Sequence, residues 1–175
     1  MDDSFLDLEI IKTVSMSEEE LKKCRQVLAA VALVTCESKL LLIFNEQWGH
    51  FTLPITKLKD TFLNDDGCMD AAETVWTEAG VSAAQEYLSS GQASKGEYLM
   101  VLDDFMSSGR DSATKRYTVS VYHFAVPTLD LPDATGPQWL TVNEIMTETA
   151  PLMSQTALRV VNQLIESKDE LGLPI

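Results

Sequence analysis

The alternation of apolar and polar positions along the chain predicts several strands with helices between them. An apolar run from Val27 to Cys36, a short polar turn and a second run from Lys39 to Phe44 predict two consecutive strands. Glu97 to Phe105 and Arg116 to Val126 predict two long strands joined by the polar loop Met106 to Lys115. The second long strand is partly apolar on both faces, which is typical of a strand covered on both sides.

Capping residues and helical spacing predict helices near both ends of the chain. Ser17 and Glu20 form a capping-box pattern, which predicts a helix from Ser17 to about Gln26. A longer helix is predicted from about Ser154 to Lys168, and its apolar stripe consists of Ala157, Leu158, Val161, Leu164 and Ile165. The apolar segment Phe5 to Val14 fits an edge strand or a lead-in segment.

A third helix is predicted in the middle of the chain. It begins near Asp66 and ends at Gly80, a residue type that commonly follows the last turn of a helix. Its buried stripe consists of Ala72, Val75 and Ala79. Trp76 lies at the edge of that stripe, where it either packs in the protein or stacks on a ligand. The following segment, Ser82 to Gly96, reads as a helix remnant and a loop.

Length and charge narrow the functional classes. The 175 residues fit one domain, which we predict to span residues 1–175 with a core at about 27–166 and an N-terminal extension at 1–26. The net charge is -14, and a basic face is needed to neutralise nucleic-acid phosphates, so we expect no nucleic-acid partner. The acidic N-terminus resembles no secretory signal, and no apolar run approaches ~20 residues. We therefore expect a cytoplasmic protein with no membrane partner.

The cysteines indicate a reducing compartment. Cys24, Cys36 and Cys68 are an odd number without metal-like spacing, so free thiols are expected. Cys36 ends a buried-looking strand, and Cys68 falls at the start of the predicted central helix. A structural role is the expectation for both. His123 is predicted to be a hydrogen-bonded core or pocket residue, because only His50 could join it at a metal.

The segment from Leu53 to Val81 carries a family resemblance. Leu53-Pro54 and, further on, Glu78-Ala79-Gly80-Val81 match the opening and closing parts of the Nudix box. The strands before the segment and the Trp-Leu in Gln138–Ile145 follow the order of elements in Nudix domains. The resemblance covers roughly Val27 to Glu166. It implies an α/β (α+β) Nudix fold, with a mixed β-sheet sandwiched between the box helix and the C-terminal helix.

The box departs from the family pattern at the residues that would hold metal. Ile55 and Thr56 replace a glycine pair, and Thr74 and Thr77 stand where the family has glutamates. Thr56 and Glu73 are seventeen positions apart where the family pattern has fourteen, so the loop is about three residues longer. The chain is therefore similar to a divergent Nudix protein with a degenerate box.

These departures bear on chemistry. Hydrolysis of a diphosphate linkage requires a divalent cation that neutralises phosphate oxygens and activates water. Carboxylates four residues apart on a helix can share one such ion, but here that pair is Thr74 and Glu78. Glu78 is thus the one candidate catalytic glutamate of the box helix. A metal site would need Glu78 together with acids drawn from Asp65, Asp66, Asp103 or Asp104. Because strand neighbours face opposite sides, at most one of Asp103 and Asp104 could contribute.

Two functions stay open at this point. The first is a non-catalytic domain that binds a nucleotide-like small molecule or a protein partner and needs no cofactor. Its candidate ligand-binding residues are Lys57, Trp76, Arg110 and Arg116. The second is a divergent hydrolase that uses Mg²⁺ or Mn²⁺ to cleave a nucleoside diphosphate linked to another moiety. The sequence leaves the oligomeric state open, a homodimer included.

Overall fold

A mixed sheet forms the centre of the molecule. The computed structural model describes residues 17–107, 113–128, 137–173 and 175. The strands are β1 (Gln26–Cys36), β2 (Lys39–Asn45), β3 (His50–Thr52), β4 (Ile55–Lys57), β5 (Phe62–Leu63), β6 (Met69–Asp70), β7 (Glu97–Ser107), β8 (Thr114–Ala125) and β9 (Pro137–Thr141). The helices are α1 (Glu18–Lys22), α2 (Glu73–Gln85), α3 (Ser90–Ala93), α4 (Val142–Glu144) and α5 (Gln155–Leu171). A π-helical turn, Ile145–Thr149, and a 3-10 turn, Ala150–Leu152, connect α4 to α5.

Strand β1 organises the sheet. It runs parallel to β8, from the pair Gln26 and Arg116 to the pair Thr35 and Ala125, and antiparallel to β2 and β4. The sheet order is β3-β2-β1-β8-β7, with β4 paired to β1 and β9 paired to β2. Every residue of β1 after Gln26 is buried, as expected for a strand with a parallel neighbour and covered faces.

The two faces of the sheet bury separate apolar clusters. On one face Ala30, Ala32 and Val34 pack with Ala79, Ala83 and Ala84 of α2. On the other face Val31 and Leu33 pack with Leu158, Val161 and Leu164 of α5. Successive strand residues point to opposite sides, so α2 and α5 cover opposite faces. The predicted sheet between the box helix and the C-terminal helix is therefore confirmed.

The start of the box helix was predicted incorrectly. Helix α2 begins at Glu73, and a small hairpin of β5 and β6 occupies part of the segment assigned to its first turns. Asn64 Oδ1 accepts hydrogen bonds from the Asp66 and Cys68 amides, both at 3.0 Å, and Gly67 has a φ of 76°. An asparagine and a left-handed glycine make this segment a turn, so Cys68 lies in the hairpin and not at a helix N-terminus.

The end of the box helix was also predicted incorrectly, because α2 continues past Gly80 to Gln85. A Cβ at Gly80 would lie 2.6 Å from Tyr122 Cδ2, so the glycine permits close contact with β8 and does not end the helix. Ala79 is buried as predicted, whereas Ala72 is exposed and precedes the helix. The segment predicted as a remnant and loop contains the last turns of α2 and the short helix α3.

The helices at the two ends of the described chain agree more closely with the predictions from the sequence. Thr141 caps the single turn α4 after β9, and Ser154 caps α5, which ends at the left-handed Gly172. Helix α1 is shorter than predicted, and Ser17 Oγ accepts from the Glu20 amide as the capping pattern requires. The segment Phe5 to Val14 lies outside the described residues. Within the described part of the chain, no helix has the length and apolar character needed to cross a membrane.

Candidate functional site

A cleft of about 330 Å³ opens between the first turns of α2 and the strands β7 and β8. Its lining residues are Ala71, Glu73, Trp76, Thr77, Tyr98, Ser120 and Tyr122. We call it the α2–β8 cleft. Three of these seven residues are aromatic, and Glu73 is the one with a formal charge. Trp76, named from the sequence as a possible ligand contact, lines the cleft.

Strand alternation and helical spacing bring these side chains together. Ser120 and Tyr122 are two residues apart on β8 and therefore share one face, and Tyr98 lies opposite Tyr122 on β7. The two tyrosine rings meet edge to face, with centroids 5.9 Å apart and planes at 73°. On α2, Glu73, Trp76 and Thr77 recur at spacings of three and four, which place them on one side of the helix.

The hydroxyl of Tyr122 stays protonated in this position. Burial of the side chain raises the pKa of Tyr122, and a hydrogen bond with Thr77 opposes the shift. The nearby Tyr98 and, to a smaller extent, the charge of Glu73 raise the pKa of Tyr122 further. Ser120 is also buried. The cleft thus offers neutral hydroxyl groups and one carboxylate for hydrogen bonding, beside aromatic surface.

Arg116 is held by a carboxylate on the adjacent strand. Its Nε and Nη2 donate to the two oxygens of Asp103 at 3.0 and 2.7 Å, a bidentate pair. Its Nη1 lies 3.2 Å from Cys68 Sγ, and the hydrogen bond to Asp103 is the main factor that raises the pKa of the guanidinium. Arg116 is not among the residues that line the α2–β8 cleft.

Asp104 points to the opposite side of the sheet. Arg159 of α5 donates from Nε to Asp104 Oδ2 at 3.2 Å, which links the edge strand β7 to the C-terminal helix. Asp103 and Asp104 therefore face different layers, in agreement with the alternation expected of strand neighbours. Each of the two carboxylates is paired with an arginine, which competes with any cation for its oxygens.

Glu78 is exposed on α2, away from the sheet. Each helical residue turns the chain by about 100°, so Glu78 points about 140° away from Glu73 and the cleft. Asp65 and Asp66 are exposed in the turn of the β5–β6 hairpin. In the part of the chain that the structure describes, no three His, Cys, Asp or Glu side chains are grouped so that they could hold a metal ion.

Two other ligand contacts were predicted from the sequence, Lys57 and Arg110. Lys57 is exposed at the end of β4 and does not line the cleft. Arg110 lies outside the described residues. Sequence reasoning did not identify Glu73, Tyr98, Ser120 or Tyr122 as site residues. Alternation along β8 places Ser120 and Tyr122 on one face, and helical spacing places Glu73 beside Trp76. Tyr98 joins them only through its pairing with Tyr122.

Solved structures with a similar fold exist, although the sequence similarity is low. No protein-family model matches the chain, and no curated protein matches it. A bifunctional NMN adenylyltransferase/ADP ribose pyrophosphatase from Francisella tularensis, complexed with AMP and a Mn ion, superposes with a TM-score of 0.56 at 16% identity. That match covers 94% of this chain and 48% of the other, so the chain spans about half the length of the bifunctional protein.

Two further matches name the fold. The NUDIX domain of NrtR from Shewanella oneidensis, complexed with ADP ribose, has a TM-score of 0.50 at 13% identity and covers 90% of this chain and 97% of that one. A NUDIX hydrolase from Nitrosomonas europaea has a TM-score of 0.50 at 14% identity, with coverages of 83% and 90%. At these identities the similarity concerns the fold. The chain therefore has the Nudix fold.

Proposed function

We propose that this chain is a non-catalytic binding domain that holds the aromatic ring of a nucleotide-like ligand in the α2–β8 cleft. The observation that carries the proposal is the lining of the cleft, where Trp76, Tyr98 and Tyr122 converge beside polar groups. Ligand sites commonly combine aromatic walls with a few polar groups that fix orientation. Tyr98 is 59% exposed although it is a large aromatic residue, which leaves its ring accessible to a ligand.

The size and charge of the cleft favour the ring end of such a ligand. A volume of about 330 Å³ is near the lower end of the range for ligand sites, ~300–1,000 Å³. A base or a nucleoside fits that space better than a complete dinucleotide does. Arg116 is paired with Asp103, and the carboxylate of Glu73 repels phosphate. We therefore place the base in the cleft and any phosphates outside it.

The proposal omits metal-dependent hydrolysis because the available donors do not fit a divalent cation. Mg²⁺ requires several oxygen ligands in near-octahedral geometry. Glu78 points away from the cleft, while Asp103 and Asp104 are each paired with an arginine. Asp65 and Asp66 lie in an exposed hairpin turn. The alternative hydrolase would need these carboxylates to converge on one ion, so the binding domain is the function we favour.

Two tryptophan variants provide a matched test of the cleft. AMP, ADP ribose and adenosine are titrated calorimetrically into the wild-type protein, Trp76→Ala and Trp48→Ala. Trp48 is also solvent-accessible, at 39%, but lies in the turn between β2 and β3. Stacking of a base on an aromatic side chain contributes ~1–3 kcal/mol, so Trp76→Ala should weaken binding roughly fivefold or more. Trp48→Ala should bind as the wild type does.

The opposite results are equally informative. If none of the three ligands binds the wild-type protein, or if both tryptophan variants bind equally well, the cleft is not a nucleotide-like site. Incubation of the same compounds with Mg²⁺ or Mn²⁺, followed by chromatography, tests the non-catalytic part separately. Cleavage products that disappear in Glu78→Gln would replace the binding domain with the divergent hydrolase.

A further inference from the structure

The charge of the α2–β8 cleft is unusual for a site that meets a phosphorylated ligand. Glu73 is the charged residue among the seven that line it, and no lysine, arginine or histidine belongs to that set. Glu73 is also in the first turn of α2, where the helix dipole favours a negative side chain. The whole chain has a net charge of -14, which adds a negative field around the cleft.

Arg116 does not offset this charge. Arg116 and Ser120 are four residues apart on β8, which corresponds to about 13 Å along the strand. The guanidinium is already paired in bidentate fashion with Asp103, and its remaining amino group contacts Cys68. A ligand group in the cleft therefore meets the carboxylate of Glu73 without a compensating positive side chain among the lining residues.

The aromatic rings add a second preference for positive charge. The face of an aromatic ring carries negative electrostatic potential, and a cation over that face is stabilised by ~0.5–2 kcal/mol. Because the rings of Tyr98 and Tyr122 meet at 73°, their faces point in different directions and form a corner of the cleft. A planar cation can contact one ring face while its charged atom remains near a carboxylate.

We infer that the α2–β8 cleft selects a nitrogen heterocycle with a fixed positive charge, an N-alkylated ring of the pyridinium type, with Glu73 as its counter-ion. This inference rests on the proposed function and specifies which ring the cleft holds. Aromatic surface alone accepts neutral and cationic rings, whereas the carboxylate of Glu73 distinguishes between them. Hydroxyl groups of Thr77 and Ser120 provide hydrogen bonds to polar substituents of the ring.

A pair of ligands that differ by one hydride tests the charge preference. Nicotinamide riboside carries a pyridinium charge, and its dihydro form has nearly the same size but is neutral. Calorimetric titration into the full chain at low salt should give an affinity for the cation about tenfold higher. The preference should decrease at an ionic strength of about 1 M, because salt screens the charge at this open site. Equal affinities, or tighter binding of the neutral form, would overturn the inference.

Two glutamate variants identify the source of the preference. Glu73→Gln should bring the ratio of the two affinities close to one. Glu86→Gln removes the same charge about 20 Å away at the other end of α2, and should keep the wild-type ratio. If Glu73→Gln keeps the wild-type ratio, Glu73 is not the counter-ion and the inference is wrong. If neutral rings bind without a preference for the cation, only this inference fails; if nothing binds, the proposed function fails with it.

Discussion

Gly80 lies directly against the ring of Tyr122. A Cβ built on Gly80 would be 2.6 Å from Tyr122 Cδ2 and 2.9 Å from Cγ, closer than non-bonded carbon atoms approach. The contact brings α2 next to β8 at the position where the α2–β8 cleft is lined by both elements. The glycine that closes the box pattern in the sequence therefore determines how closely the helix approaches the aromatic side of the cleft.

Gly80→Ala should destabilise the protein by about 1–3 kcal/mol, because the added methyl group forces the buried Tyr122 ring to shift. Alanine by itself favours a helix over glycine by roughly 0.5–1 kcal/mol, so a loss of stability requires the steric effect to dominate. Urea denaturation followed by circular dichroism measures the change. Gly91→Ala in α3 is the control, since its Cβ would meet no atom within 4 Å.

A second background isolates the contact itself. In a protein with Tyr122→Ser, the ring is absent and Gly80→Ala should become neutral or stabilising. If Gly80→Ala lowers the free energy of unfolding equally in the wild-type and Tyr122→Ser backgrounds, the helix, and not the ring, requires the glycine. Binding of adenosine to Gly80→Ala should weaken as well, because Tyr122 lines the cleft.

The box helix shows which features of the fold the sequence could predict. Local periodicity was sufficient to predict the long strands, whose apolar positions recur over many residues. It was also sufficient to predict α5, whose apolar stripe spans several turns. The start of α2 had a local signal, because Asn64 and Gly67 favour a turn. The hydrogen bonds between the Gln26 side chain and the Met69 backbone also hold the hairpin, but they join residues far apart in the sequence. The extension past Gly80 also had a local signal, because Ala79, Ala83 and Ala84 recur at helical spacing. The contact of Gly80 with the Tyr122 ring had none, because the two residues are some forty positions apart.

The candidate site was harder to predict for the same reason. Trp76 could be named because it stands in the box segment, but Tyr98 and Ser120 join it only through the pairing of β7 with β8. Arg116 was named from the sequence as a candidate ligand-binding residue. The register between β7 and β8 places Asp103 opposite Thr118 and so brings its carboxylate to the guanidinium of Arg116. Asp103 and Arg116 are thirteen positions apart in the sequence. Pairing of this kind across strands has no signal in the local sequence.

His123 should make stability depend on pH. Its Nε2 lies 2.6 Å from Thr35 Oγ1, and burial lowers the pKa of His123 below its ordinary value of 6.5, although Glu97 opposes the shift. The unfolded chain then binds a proton more readily than the folded chain, so stability is highest above about pH 6.5 and decreases as the pH falls below it. His123→Gln should show a smaller decrease between about pH 7.5 and 5.5. Urea denaturation at several pH values gives the free energy of unfolding of both proteins. An equal decrease with falling pH in His123→Gln and the wild type would contradict this role.

The pair of Arg116 and Asp103 should contribute only modestly to stability. Its geometry is bidentate, but the two side chains are 32% and 45% exposed, so water screens the attraction. We expect a coupling free energy of about 0.2–1 kcal/mol. A double-mutant cycle with Arg116→Gln and Asp103→Asn measures it by urea denaturation. The coupling should decrease when the cycle is repeated at an ionic strength of about 1 M, whereas an unchanged value would indicate that packing dominates.

Titration with Mg²⁺ and Mn²⁺ tests the interpretation of Glu78. Because Glu78 points away from the cleft and Asp103 and Asp104 are paired with arginines, wild-type protein and Glu78→Gln should give the same weak heats. The net charge of -14 attracts cations diffusely, and that contribution is shared by both proteins. A specific site with a dissociation constant below about 1 mM needs several oxygen ligands around one ion. Binding of that strength in the wild type and its loss in Glu78→Gln would show that carboxylates converge on Glu78 in solution, and would favour the divergent hydrolase.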